Sequence, residues 1–313
     1  MIRAEVGSTM PGLRLCLLWS LVVCIAACDA PTGEVASGVY VDDVHRFVDA
    51  WTEFSLSDST CTALRPYWES AGPGLGTYRR KFNVDFDDLC SAVHRTPENY
   101  AQIAGRRSEL DSVASLITDT YSRFNRLRTL ENNPSVFLVV GTGVSAGSTT
   151  LGRNPSILLG MERNRSSEGL PWLVAHELVH TQQRYPALGM LTGGPRFLRG
   201  SVLRHSIAEG AADFIAELAT GRAVRNQYAE SRERQLWEQF KADAATKDYG
   251  PWLYNGGRED RPEDVPPDLG YWIGYRITKS FYEKAADKRE ALNDILSIRD
   301  FEAFLEESGY KGG

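Results

Sequence analysis

The sequence predicts an α+β chain, mostly helical, with a small β-sheet beside one central helix and a helical region in front of it. Three observations support this. Apolar residues recur at three- and four-residue spacing along much of the chain, as on one face of a helix. β-branched and apolar runs appear at 135–140 and 156–160, between helical stretches. The composition is that of an ordinary globular protein, 42% hydrophobic, 24% charged and 10% aromatic. At 313 residues the chain can form one large domain or two modest ones. A net charge of −6 argues against a nucleic-acid partner, because phosphate binding needs a basic face.

The N-terminus reads as a targeting segment. The apolar run at 13–27, preceded by Arg3 and interrupted by Arg14, is too short for a comfortable membrane span. It has the length of a signal-peptide core, and a start at Met10 would make a more typical signal. The run ends in Ile25-Ala26-Ala27-Cys28, which resembles the lipobox of bacterial lipoproteins. That resemblance implies removal of residues 1–27, acylation of Cys28, and an exported bacterial lipoprotein anchored to a membrane, facing the periplasm or cell exterior. Residues 28–38 are small, polar and contain Pro and Gly, as a tether would. Export implies oxidising surroundings, so a Cys61–Cys90 disulfide is an expectation, although sequence alone cannot bring their Cα atoms within bridging distance.

Residues 39–132 read as a helical N-terminal region. From 40 to 54 the residues Val41, Val44, Phe47, Val48, Trp51 and Phe54 form one apolar face. Further helical segments are expected at 61–70, 85–94 and 98–130, with the Gly/Pro-rich stretch 71–77 as a turn cluster. His45 and His94 stand alone and read as surface or core residues. A second domain is expected at 133–313. It opens with a buried strand at 135–140 and a second at 156–160. The glycine-rich stretch 141–147 matches neither G-x-G-x-x-G nor a P-loop and reads as a β-connection. A helix beginning near Pro171 ends before Pro186, and a second runs over 203–220 with Gly221 as its cap. Residues 222–245 read as a charged, solvated helix, 249–267 as loop, and 269–287, 288–297 and 300–307 as helices.

The chemistry concentrates on the two central helices. Only five histidines occur, and two of them, His176 and His180, lie four apart with Glu177 after the first. On a helix, residues i and i+4 share a face, so both imidazoles can reach one metal ion. Glu177 points about 100° round, where it could touch a water on that metal. A catalytic zinc takes three protein ligands and one water. The second helix offers Glu209 as the third ligand, and Asp213, one turn on, can accept the ring N–H of a ligand histidine, most simply His176. His205 is the rival third ligand and otherwise a cleft residue. Glu217 reads as solvated. Gly210, Ala211 and Ala212 would let the two helices pack closely across the metal. Downstream, Tyr271 and Tyr275 are candidate donors to an oxyanion, with Gly274 allowing close approach.

His-Glu-Leu-Val-His followed by Glu-x-x-x-Asp resembles the gluzincins, the thermolysin-like clan of zinc metallopeptidases. From 133 to about 308 the chain is also similar to poorly characterised bacterial lipoproteins thought to be zinc-dependent proteases. The resemblance implies a zincin-like domain with one Zn²⁺ on His176, His180 and Glu209. It further implies Glu177 as general base, Asp213 behind a ligand histidine, and a peptide or protein substrate. By the same analogy the strand at 157–160 would align a peptide. The loop from His180 to Glu209 is longer than in thermolysin. Two other readings stay open: a zinc-binding pseudo-enzyme or structural lipoprotein, and a metal-dependent hydrolase of a non-protein substrate. Glu177 speaks against a structural site, which has no use for a base.

Overall fold

The structure is a computed structural model and describes residues 38–152, 154–186, 199–258 and 261–313. The expected signal segment, Cys28 and nearly all of the tether lie outside the described residues. Within one compact unit, the described residues are α+β and mostly helical, with a single small sheet among them. Strand β1 (Val39–Tyr40) leads into α1 (Asp42–Thr52), α2 (Arg65–Glu69), α3 (Pro73–Phe82), α4 (Phe86–Arg95), α5 (Pro97–Ala104) and α6 (Leu110–Leu127). Strands β2 (Ser135–Val139), β3 (Gly147–Thr150) and β4 (Ser156–Gly160) precede the central helices α7 (Leu170–Gln182) and α8 (Val202–Thr220). Then follow α9 (Gln227–Glu230), α10 (Glu233–Asp243), α11 (Leu269–Lys284), α12 (Lys288–Leu296) and α13 (Phe301–Ser308). No helix among the described residues is long and apolar enough to cross a membrane.

The sheet runs β1-β2-β4-β3, parallel except for β3, which is antiparallel to β4. Every residue of β2 is buried, as expected for a strand covered on both faces. Because β1 pairs with β2, residues 39–132 and those from 133 share one sheet and one core. The expectation that 157–160 would face a peptide is corrected here. β4 is interior, bonded on both sides, and the edge belongs to β3, which sequence alone did not reveal.

Three helix boundaries also differ from the sequence reading. The turn cluster at 71–77 is the start of α3. Asp43 of α1 reaches across and accepts from the backbone N–H groups of Gly72 and Leu75, both at 3.0 Å, capping a helix with no local cap. Gly74 is small because Phe137 of β2 lies against it, and a Cβ there would come within 2.6 Å of the Phe137 Cβ. The 98–130 stretch is two helices, α5 and α6, separated by a 3-10 turn at Arg107–Glu109. The 222–245 stretch is α9 and α10. It is not fully solvated, since Leu236, Trp237 and Phe240 are buried.

The glycine-rich connection after β2 folds around the buried carboxylate of Glu162, which accepts from the N–H groups of Gly141 at 3.0 Å and Gly143 at 2.9 Å. Tyr100 donates to the Gly141 carbonyl at 3.0 Å, and Tyr78 pairs with Thr142. Cys61 and Cys90 are joined by a disulfide. They gather with His94, but with both sulfurs bonded to each other this cluster offers no thiolate.

Candidate metal centre

His176 and His180 lie on the buried face of α7, and Glu209 faces them from α8. Pro171 in the first turn of α7 gives up an N–H that has no helical partner, and Ser201 caps α8 by accepting from Arg204 N–H. The Nε2 atoms of His176 and His180 are 3.1 Å apart, and Glu209 Oε2 is 3.4 Å from the first and 3.2 Å from the second.

The outer partners fix which ring nitrogen carries the proton. His176 Nδ1 donates to Asp213 Oδ1 at 2.8 Å. Gln183 donates its amide to the Ala208 carbonyl at 2.7 Å, leaving its Oε1 to accept from His180 Nδ1 at 2.9 Å. Both histidines therefore turn a lone pair toward the Glu209 carboxylate. Three lone-pair atoms at this spacing repel unless something positive joins them. With the protein atoms alone that role falls to a proton. Burial disfavours the imidazolium of His176, but the bonds to Asp213 and Glu209 outweigh it and hold its pKa well above the ordinary value. Burial likewise opposes ionisation of Glu209, yet His180 and His176 hold its carboxyl well below the usual range.

The donor set fits a zinc ion. Zn–N bonds of 2.0–2.1 Å in a tetrahedron give ligand–ligand edges of about 3.3 Å, close to the three separations found here. Two neutral imidazoles and a carboxylate are standard zinc ligands, each held from behind as such ligands are. The side chains of His180 and Glu209 keep 20% and 15% exposure, so the cluster opens to solvent on one side.

The neighbours decide among the sequence candidates. Tyr271 lies nearly parallel to the His176 ring, with centroids 6.4 Å apart. Tyr275 is not at the site, which corrects the expectation that it could serve there. One helical turn beyond Tyr271, its hydroxyl donates to Glu217 at 2.8 Å and accepts from Lys279 at 2.9 Å. Glu217 is accordingly held in a network rather than solvated. His205 is buried, with Nδ1 3.3 Å from the Tyr254 hydroxyl, behind Glu209 rather than beside the two histidines. Gly210 does not serve the α7–α8 contact, because it lies under α11, where a Cβ would come within 2.0 Å of Tyr275 N.

Sequence reasoning missed Tyr254, whose segment read only as loop. Its hydroxyl donates to Glu209 Oε1 at 3.1 Å. The backbone at Tyr254 is left-handed (φ +57°), a conformation costing roughly 1–2 kcal/mol for a residue with a Cβ. It is held by Asn255 and Asp268, each accepting the other's backbone N–H at 3.0 and 2.8 Å. Glu177 is also explained differently. Thr149 of the edge strand β3 donates to its Oε2 at 2.7 Å and lies 2.9 Å from its carbonyl, so Glu177 fastens β3 to α7.

A family model described as gliding motility protein GldB, a lipoprotein family, matches residues 227–312. No curated protein matches the chain, and no solved structure does. The matched stretch runs from α9 to α13, includes Tyr254 and Tyr271, and begins after the clustered residues of α8. A lipoprotein family agrees with an exported lipoprotein. The expectations of a gluzincin, of a metalloprotease and of peptide hydrolysis are corrected by this finding, since the similarity is to a motility lipoprotein family and to no peptidase. The physical reason is that a ligand pattern specifies donor atoms on a scaffold and not the use made of them.

Proposed function

We propose that the chain is an exported, zinc-binding lipoprotein of GldB-like type, anchored through Cys28 outside the cytoplasm, in which the metal centre ties α7 to α8. The family match over residues 227–312 supports gliding motility as its cellular setting. The carrying observation is the convergence of two histidine lone pairs and one carboxylate within 3.4 Å of one another, each oriented from behind. The layout around them, an antiparallel edge strand against a helix with two ligand histidines and a second helix with the carboxylate, supports a zincin-like arrangement as geometry. A bound zinc ion supplies neutralisation of the three donors and Lewis acidity at any position they leave open. Residues of this chain do the rest. Asp213 and Gln183 keep both imidazoles in the ligating tautomer, Tyr254 orients Glu209, and Glu177 joins the edge strand to the helix.

Elemental analysis of the purified full chain tests the reading, with about one zinc per chain expected for a single site. The His176→Ala, His180→Ala double variant should lose the metal, whereas Glu177→Gln should keep it. Full zinc content in the double variant would overturn the proposal.

A second reading, a metal-dependent hydrolase of a non-protein substrate, is favoured by the opening to solvent at His180 and Glu209, since purely structural zinc sites are closed. It requires chelator-sensitive turnover of a non-peptide ester or amide that Glu177→Gln abolishes at unchanged zinc content.

A further inference from the structure

We propose a second binding site, for a phosphoryl anion, in the cavity of about 550 Å³ between the β4–α7 loop and the turn after α8. Arg163, Arg165 and Arg222 line it, with Glu168 the single carboxylate among the described residues of its walls. No carboxylate among the described residues lies within 4.0 Å of any of the three guanidinium groups. In a chain of net charge −6, three such cations gathered around one acid are out of balance, and the local excess of two positive charges matches a phosphoryl dianion.

The cationic side chains sit on a stiff frame. Arg106 of the α5–α6 connection donates to the Asn164 carbonyl at 2.6 Å and to Ser167 Oγ at 2.9 Å. Asn164 in turn donates to the carbonyls of Ala146 and Gly160 at 2.8 and 2.9 Å. Arg163 and Arg165, on either side of Asn164, are thereby held at one edge of the cavity. Arg163 uses one donor on the Gly143 carbonyl at 3.3 Å. Arg165 uses one donor on Asn99 Oδ1. A guanidinium carries five N–H donors, so most of their capacity remains for a ligand. Arg222 follows the left-handed Gly221 that ends α8; its backbone N–H donates to Thr220 Oγ1 at 3.3 Å, while its guanidinium makes no hydrogen bond or ion pair to the described residues. Guanidinium forks bind phosphate oxygens two at a time, which an ammonium cannot do. Phosphoryl oxygens for these forks are presented by a soluble phosphate, as a dianion, and by the headgroup of an anionic phospholipid near a lipid anchor, as a monoanionic diester.

The test uses the full chain in non-ionic detergent, titrated calorimetrically with inorganic phosphate and, separately, with short-chain phosphatidylglycerol. Saturable binding is expected, weakened about tenfold or more in the Arg163→Ala, Arg222→Ala double variant. Both positions are exposed, and an unchanged melting temperature confirms that the variant is folded. Arg222→Lys, which keeps the charge and loses the fork, should fall between the two. Tighter binding of phosphatidylglycerol than of phosphate assigns the site to a headgroup, and equal or weaker binding assigns it to a soluble phosphate. Either outcome should persist in the His176→Ala, His180→Ala background, which separates this site from the metal centre. Absence of saturable binding of either probe, or binding that the double variant leaves unchanged, overturns the proposal.

Discussion

At the scale of single residues, the strongest constraint in the molecule is the direction of two imidazole rings. His176 can turn Nε2 toward Glu209 only because Asp213 holds the proton on Nδ1, and the charge of Asp213 makes the ring a better donor. Asp213→Asn keeps an acceptor for that proton and removes the charge. Zinc affinity should fall about 10–100-fold, measured by competition with a chromophoric chelator. Unchanged affinity would show that Asp213 is a packing residue only. Glu177 illustrates the opposite case. Its place in the motif suggests a base, while its bonds to Thr149 give it mechanical work between a helix and a strand. The motif leaves those two roles indistinguishable, because Thr149 lies 28 positions away.

At the scale of elements, the helices that carry the site were legible because their signals are local. The i, i+4 pairs His176/His180 and Glu209/Asp213 need only helical geometry to share a face. Gly221, with φ +74°, ends α8 where a left-handed cap was expected. Helix α3 was not legible because its cap comes from Asp43, about thirty residues earlier. Asp43→Ala should leave two backbone N–H groups near the start of α3 without their acceptor. It should cost about 2 kcal/mol or more by urea denaturation. A loss under about 0.5 kcal/mol, the range of ordinary surface substitutions, would mean that solvent replaces the cap. The crossing of α8 and α11 was hidden for the same reason. Gly274 reads as a small residue near two tyrosines. In the fold it lies under α8, where a Cβ would come within 1.7 Å of the Ser206 carbonyl.

At the scale of the whole molecule, one core runs from α1 to the last helix, and the small sheet is completed by a strand from the very start of the described chain. The Cys61–Cys90 disulfide lies in the N-terminal part of that core and closes a loop of 29 residues. By loop entropy a bridge of that span stabilises by about 3–4 kcal/mol, so reduction should lower the melting temperature by several degrees. An unchanged melting temperature after verified reduction would show that the bridge carries little of the stability. The similarity covers 227–312, from α9 to α13, and leaves out α7 and α8, which carry the candidate metal centre.

What the sequence by itself determined is the set of donor atoms and their grouping within each helix. His176, His180, Glu209 and Asp213 are placed by a period of 3.6 residues, which any stretch of helix imposes without help from the rest of the chain. What only the tertiary structure decided is how separate elements meet. It chose Tyr254 and Tyr271 over Tyr275, gave the sheet edge to β3, and turned Gly210 toward α11. Those choices depend on crossing angles and loop paths, which are set by packing among residues far apart in the chain and leave no periodic mark in it.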